Sequence, residues 1–173
     1  MVGISISPIE LLIKGTPEGF LFVLAVYILT RTKIDWLKYV IQSLIFIVMT
    51  YALRLLPINI GTHTMLSLLA LIILFIVANK IDLQMIIRST ISVIIIAIII
   101  VMSEELNVLL LLAFWGQSKT NTLLSGTSIM VSVYEIPSTV IFALVILASY
   151  FVLAKIDKNK KVKNGEIGAK TGE

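Results

Sequence analysis

The sequence predicts an all-α fold, a polytopic membrane helix bundle of five transmembrane helices. Hydrophobic residues make up 58% of the 173 residues and the mean hydropathy is +1.06, whereas a soluble domain is about 45–50% apolar. These residues are concentrated in five apolar stretches that approach the ~20 residues a helix needs to cross a hydrocarbon core of ~30 Å. We therefore expect residues 1–155 to form one membrane domain.

The first span covers about residues 8–30 and is interrupted by a polar stretch that contains a proline. Thr16 followed by Pro17 fits an N-cap with proline at the first helical position, so we expect a helix to begin or to kink here. The part after Pro17 is short for a crossing. We expect the preceding residues, 9–15, to form an interfacial turn or an extension of the helix.

The second and third spans, Trp36 to Leu56 and Thr62 to Ala78, follow one another across a short connection. Tryptophan and tyrosine near the ends of the second span are typical of helices anchored at membrane interfaces. Residues 57–61 predict a tight turn, because Pro57 fixes φ and Gly61 permits a positive φ.

The fourth span, Leu83 to Met102, is the clearest, and the fifth, Ile136 to Ala154, carries a proline in its first turn, where proline is tolerated. Residues 106–134 between them are ambiguous, because the apolar run 106–115 is too short to cross a bilayer. We expect a re-entrant or interfacial segment at 106–134. Two additional crossings there would leave the tail on the same side.

Basic residues lie mostly on one side of the predicted spans. Six of the fourteen follow the last span, where the charged tail, 156–173, is expected to be disordered. Five more lie in the connections at 31–38 and 80–88, which leaves three on the opposite side. Because cytoplasmic loops are rich in Lys and Arg, we expect a multi-pass protein of the cell membrane with its N-terminus outside and its C-terminus in the cytoplasm.

The same distribution indicates that the net charge of +4 reflects membrane topology. We therefore expect the lipid bilayer as the partner of this chain and no nucleic acid. The chain has no cysteine, which excludes disulfides, thiolate metal sites and a cysteine nucleophile. A single histidine does not make a metal site. We expect no metal, no cofactor and no enzymatic activity, since no P-loop, HExxH or nucleophile-elbow motif occurs.

Six polar side chains near the outer ends of the spans are candidates for binding a ligand or a partner. They are Glu18, Arg54, His63, Thr64, Glu104 and Glu105. In one interpretation they form a ligand-facing cluster, and His63 adds a side chain type that changes its charge near neutral pH. In the other interpretation, each of these side chains lies in the headgroup region and extends to water independently of the rest.

Two further expectations concern these charges. Glu18 and Arg54 are expected to pair, because a charge near the hydrocarbon needs a partner and arginine offers a bidentate one. Glu104 and Glu105 are adjacent on one helix, so both cannot face the bundle.

Three segments of the chain carry recognisable motifs. The first is Thr16-Pro17-Glu18, and the third is a Glu near the end of the fourth span, Glu104 or Glu105. The second is a turn with Tyr51, Arg54, Leu56, Pro57, Gly61, His63 and Thr64. These segments resemble the "LPE" opening (with Thr in place of Leu), the "YxxRxLPxxxGxHT" turn and the Glu of the multi-pass N-terminal membrane region of Firmicutes sensor histidine kinases. The likeness covers about residues 15–150.

The resemblance implies a sensor-like membrane domain without the kinase module, since the chain continues for only a short tail after its last span. The leading functional hypothesis is a bacterial sensory or regulatory module that binds a small ligand or a membrane partner, such as a histidine kinase. The alternative is a small transport component, a substrate-binding subunit that needs a separate energising partner. A peptide-processing enzyme is disfavoured because the chain has no cysteine nucleophile.

The topology is testable by cysteine labelling in intact cells. A cysteine placed in the tail between Lys158 and Lys163 should resist an impermeant maleimide, because we expect this tail in the cytoplasm. A cysteine at position 59 should react. Reversed accessibility would contradict the orientation and move the candidate cluster to the cytoplasmic side.

Overall fold

A computed structural model describes the backbone of residues 11–56, 60–79 and 82–170, and the side chains of most of them. This part of the chain forms one π-helical turn and five α-helices. The turn is Leu11–Gly15, and the helices are α1 (Thr16–Thr30), α2 (Trp36–Arg54), α3 (Ile60–Asn79), α4 (Leu83–Leu124) and α5 (Ser128–Lys170). All five helices are long and apolar enough to cross a membrane, so the predicted fold class is confirmed and the chain is a multi-pass membrane protein. Which end faces the cytoplasm stays a prediction.

Helix α1 is the centre of the bundle and contacts each of the other four helices. Its aromatic rings reach in different directions: Phe22 lies 5.5 Å from Phe142 of α5 and Tyr27 lies 5.0 Å from Phe75 of α3, measured between ring centroids. The remaining neighbours follow one another around α1, since α2 packs on α3, α3 on α4, and α4 on α5. Lipid supplies no hydrophobic driving force between helices, so this close packing is the main force that holds the bundle together.

Gly19 permits the closest approach of α1 to α2. A Cβ built at this position would overlap the Cγ1 atom of Ile47 on α2. Small residues at helix crossings let neighbouring membrane helices come close together. The absence of a side chain at Gly19 therefore leaves the space against α1 that the Ile47 side chain of α2 occupies.

The two ends of the bundle differ in chemistry. At one end, here named the basic end, α1 finishes at Thr30, α2 and α4 begin, and Arg31 pairs with Asp157 of α5. Asp35 and Asp82 cap α2 and α4 there by accepting hydrogen bonds from backbone N–H groups. The opposite end, where α1 and α3 begin and α2 finishes, is named the cavity end.

Helices α4 and α5 are longer than the sequence indicated. Helix α4 has 42 residues with an interruption at Gly116, and its continuous part, residues 83–115, corresponds to ~50 Å at 1.5 Å per residue, well above the ~30 Å of a hydrocarbon core. Residues 106–115 continue α4 without a break, so they do not form a separate helix. That residues 106–134 lie at or in the membrane stays a prediction. The sequence prediction assumed that a helix cannot be much longer than the bilayer is thick, whereas α4 extends past the cavity end of the bundle.

The extensions of α4 and α5 form a projecting hairpin, residues 105–134. The Asn107 side chain donates a hydrogen bond to the carbonyl oxygen of Tyr134 at 3.0 Å, and the Trp115 and Tyr134 rings lie 6.1 Å apart. Gly116 interrupts the helical geometry with φ 73° and ψ 168°. Only glycine adopts this backbone conformation without strain, so the direction of the hairpin beyond Trp115 depends on it.

Three local expectations have different outcomes. Thr16 is not an N-cap, because the π-helical turn runs directly into α1 and Gly15 takes the cap position. The turn expected at 57–61 lies mostly outside the described residues, and Gly61 is helical, in the first turn of α3. The backbone of α5 is helical to Lys170, in the tail where we expected disorder, and residues 171–173 lie outside the described residues.

The close approach at Gly19 predicts a specific sensitivity to size. Gly19→Leu should lower the free energy of unfolding by about 1–3 kcal/mol, because overpacking a close contact forces side chains and backbone apart. Thermal unfolding in detergent, followed by circular dichroism, would measure this. The matched control is Ala148→Leu on the exposed side of α5. Equal behaviour of the two variants would contradict the packing of α1 on α2.

Candidate functional site

A cavity of about 490 Å³ lies at the cavity end of the bundle, between the helices. The wall of the cavity that lies toward the middle of the bundle is apolar and includes Phe22, Phe46 and Leu68. Charged and polar side chains from every helix surround the rest, and we name this space the polar cavity. Its polar lining residues are Glu18, Thr50, Tyr51, Arg54, His63, Thr64, Ser67, Glu104 and Glu135.

The structure brings five of the six candidate residues to this one cavity. Glu18 comes from α1, Arg54 from α2, His63 and Thr64 from α3, and Glu104 from α4. The sixth, Glu105, is exposed and does not line the cavity, as expected for the neighbour of an inward-facing residue on a helix. That these residues bind a ligand or a partner stays a prediction.

Lys14 is the charge around which the carboxylates of the cavity gather. Its Nζ atom lies 2.7 Å from an oxygen of Glu135, 3.6 Å from one of Glu104 and 3.8 Å from one of Glu18. The Lys14 side chain is 14% exposed, so the ammonium is largely withdrawn from water. These contacts join the start of α1 to α4 and α5 through a single cation.

Glu18 is held on two sides. Besides Lys14, it accepts a hydrogen bond from the Thr139 hydroxyl of α5 at 3.0 Å. The expected ion pair between Glu18 and Arg54 is wrong, since no oxygen of Glu18 lies within 4.0 Å of the guanidinium among the contacts of the described residues. The π-helical turn extends α1 backwards and places Lys14 four residues before Glu18 on the same face, where its ammonium takes the position expected for Arg54.

Arg54 faces the cavity with no carboxylate at contact distance. Within the part of the chain that the structure describes, no carboxylate lies within 4.0 Å of its guanidinium, and the Glu18 carboxylate acts on it only at longer range. A guanidinium carries five N–H donors in a planar fork that fits a carboxylate or a phosphate. The cavity therefore presents a guanidinium whose donors are open to an anionic group.

Two uncharged polar atoms of the cavity are also without partners among the described residues. They are Nδ1 of His63 and Oγ1 of Thr50, both buried. A buried polar group without a hydrogen bond is costly, so these atoms are open to hydrogen bonds from a bound molecule or from water. These atoms lie on α2 and α3, on the same side of the cavity as Arg54.

The charges of the cavity are unevenly distributed. Three carboxylates share one ammonium at Lys14, while Arg54 stands apart. Of the three carboxylate side chains, that of Glu104 is the most exposed at 49%, compared with 9% for Glu18. The arrangement can therefore accept a positive group beside Glu104 and a negative group at Arg54. No group of three or more His, Asp or Glu residues in the described part of the chain is placed to hold a metal ion.

Sequence reasoning missed Lys14, Glu135, Thr139 and Thr50. A signal existed for Lys14, because its spacing to Glu18 is that of neighbouring residues on a helix. Pro17, however, predicts a helix start between the two residues, and this hides the spacing. For Glu135 and Thr139 no signal existed, since only the packing of α5 against α1 brings them to the cavity.

Comparisons of this chain with protein-family models, with curated proteins and with solved structures give no match. The resemblance to the membrane region of sensor histidine kinases is thus carried by the quoted motifs alone.

Double-mutant cycles distinguish the observed ion pairs from the expected one. Lys14→Met and Glu135→Gln should show a coupling in the free energy of unfolding of about 0.5–3 kcal/mol, as residues in one charged network do. Glu18→Gln and Arg54→Gln should be nearly additive, because no direct contact joins them. Thermal unfolding of the single and double variants in detergent gives both couplings. A larger coupling for the second pair would contradict this arrangement of charges.

Proposed function

We propose that this protein is a non-catalytic sensory or regulatory module of a bacterial membrane, which binds a small ligand or a membrane partner at the polar cavity. The observation that carries the proposal is the convergence of residues from all five helices on one cavity with unused hydrogen-bonding groups. Nδ1 of His63 and Oγ1 of Thr50 have no hydrogen-bond partner among the described residues, and the Arg54 guanidinium has no carboxylate within 4.0 Å among them. A site of this kind is suited to recognition, since concave sites with few convergent polar groups fix the orientation of a ligand.

The chemistry of the cavity supports binding over catalysis. A serine or threonine nucleophile needs a hydrogen-bonded base, and Nδ1 of His63 has no such partner among the described residues. The buried carboxylate of Glu18 is engaged by Lys14 and Thr139, so it is not available as a general base. The charges instead form fixed positions for complementary charges on a bound molecule.

The position of the cavity also suits a regulatory role. A ligand that contacts Glu104 competes with Lys14 for the same carboxylate, and Lys14 links α1 to α4 and α5. A ligand can shift a conformational equilibrium only by binding its two states differently. A ligand that displaces Lys14 from its carboxylates changes the contacts between α1, α4 and α5 and so supplies such a difference. Helix α5 transmits this change along its length to the basic end. We place the cavity end outside the cell, following the distribution of basic residues.

The resemblance suggests a membrane-embedded histidine kinase, or another membrane protein, as the partner that reads such a change. In this proposal the protein supplies the ligand-binding half of a signalling pair, and the transmembrane helices provide the contact surface. Most of the large apolar side chains of α2 to α5 face outward, as a protein surrounded by lipid and by partner helices requires.

Retention of a small molecule by the purified protein tests the proposal. The protein isolated from native membranes should carry a bound compound detectable by mass spectrometry, and Arg54→Gln should lose most of it because the anionic contact is gone. The matched control is Arg88→Gln, an exposed arginine of α4 near the basic end. Equal retention by Arg54→Gln and the native protein would remove the polar cavity as the binding site.

A second prediction concerns His63. His63→Ala should leave membrane levels and thermal unfolding nearly unchanged, because the Nδ1 atom makes no hydrogen bond that stabilises the fold. The same variant should fail to restore the phenotype of a deletion strain. Full complementation at normal membrane levels would reduce this residue to a structural one.

A further inference from the structure

A second concave surface lies next to the polar cavity, on the side of the bundle where α3 and α4 meet. It is a groove of about 530 Å³, and every residue that lines it is apolar. Along α4 it runs from Met102 to Val93, which at 1.5 Å per residue is ~13 Å toward the basic end. Side chains at its edge such as Met65 and Ile98 are more than half exposed, so the groove opens to the surrounding lipid.

The groove and the polar cavity are continuous. Leu68 of α3 and Val101 of α4 line both of them. Glu104 lies one turn beyond Val101 on α4, and Thr64 lies one turn before Leu68 on α3. A single molecule can therefore place a charged head among the polar residues and an alkyl chain along the groove.

We propose that the ligand of this protein is a membrane phospholipid with a zwitterionic phosphate–ammonium headgroup, which enters sideways from the bilayer. Its headgroup occupies the polar cavity and one acyl chain fills the groove between α3 and α4. The proposal rests on the proposed function, since it takes the polar cavity as the ligand site, and it adds the chemical class of the ligand.

The phosphate is assigned to Arg54. The guanidinium has no carboxylate partner in the described part of the chain, and arginine binds phosphate through two parallel charge-assisted hydrogen bonds. Arg54 is also the last residue of α2, a helix of 19 residues that begins with Trp36. This length of helix spans ~28 Å, so Arg54 lies close to the depth of lipid headgroups.

The ammonium is assigned to Glu104. Three carboxylates share the single positive charge of Lys14, so the cavity has room for a second cation. Glu104 is the most exposed of the three and lies nearest to the groove along α4. A primary ammonium satisfies this carboxylate with hydrogen bonds that a quaternary one cannot donate, which favours an ethanolamine headgroup over a choline headgroup.

Binding of three probes to the purified full-length protein in detergent tests the proposal, with native mass spectrometry as the readout. Lysophosphatidylethanolamine carries both the head and the chain, glycerophosphoethanolamine the head alone, and a monoacylglycerol the chain without charges. We expect lysophosphatidylethanolamine to bind at least about tenfold more tightly than either of the other two probes. The head and the chain each add contacts, and only this probe has both.

Two variants then separate the two halves of the site. Arg54→Gln should weaken lysophosphatidylethanolamine about tenfold or more and leave the monoacylglycerol unchanged. Ala97→Phe, which fills the groove, should weaken both probes that carry a chain and leave the head alone unchanged. Ala148→Phe on the exposed side of α5 is the control for added bulk, and circular dichroism confirms that each variant is helical.

The outcomes distinguish this inference from the proposed function. If Ala97→Phe leaves the affinity for lysophosphatidylethanolamine unchanged, or if the monoacylglycerol binds equally well, the phospholipid assignment is overturned while the polar cavity can still bind another ligand. If the native protein retains a compound that Arg54→Gln loses and that compound has no acyl chain, the proposed function stands and the phospholipid does not. If Ala97→Phe instead abolishes self-association of the protein, the groove is an interface between copies of this chain, and the proposal is overturned.

Discussion

The ammonium of Lys14 holds the cavity end of this bundle together, because it is the point at which α1, α4 and α5 share one charge. Helices in lipid gain nothing from hydrophobic exclusion, so their relative positions depend on close packing and on the few polar contacts between them. The bundle has aromatic packing along the middle of α1 and a close contact at Gly19. At the cavity end the restraint is electrostatic, and its nearest contact is the 2.7 Å distance between Lys14 and Glu135. Without this cation, three carboxylates would lie together near the hydrocarbon with no positive charge at contact distance.

The same interaction leaves Arg54 available. Had Glu18 paired with Arg54, the guanidinium would already have had a carboxylate at contact distance and would no longer have been open to an anionic group. Because Lys14 engages Glu18 from within its own helix, the guanidinium of α2 faces the cavity without a carboxylate at contact distance. The resulting separation of charge, carboxylates toward α4 and α5 and a guanidinium on α2, is complementary to a zwitterion. The continuous apolar groove between α3 and α4 adds a place for an alkyl chain at the depth where the bilayer supplies one.

Much of this arrangement could be predicted from the sequence, and the failures have physical causes. The number of spans follows from apolar length alone, and the clustering of Glu18, Arg54, His63 and Glu104 follows from their shared depth at one end of the spans. The pairing of the charged side chains could not be predicted, because the depth of a residue in the membrane does not tell which helices are neighbours. Residues 106–115 were expected to be separate from the fourth span because a bilayer limits only the part of a helix inside it, and α4 continues beyond the length needed to cross; that residues 106–134 lie at or in the membrane stays a prediction. Glu135 and Thr139 reach the cavity only through the packing of α5 on α1, which has no local sequence signal.

The most direct test of the central interaction is a solid-state NMR distance measurement on the protein in lipid bilayers, with ¹⁵N on the lysine side chains and ¹³C on the glutamate carboxyl groups. A short contact between a lysine Nζ and glutamate carboxyl carbons should appear in the native protein and disappear in Lys14→Arg, which removes the labelled nitrogen and keeps the charge. It should also weaken in Glu135→Gln, which removes the nearest carboxylate. If the contact persists in Lys14→Arg, or if none is present in the native protein, Lys14 does not join the three helices.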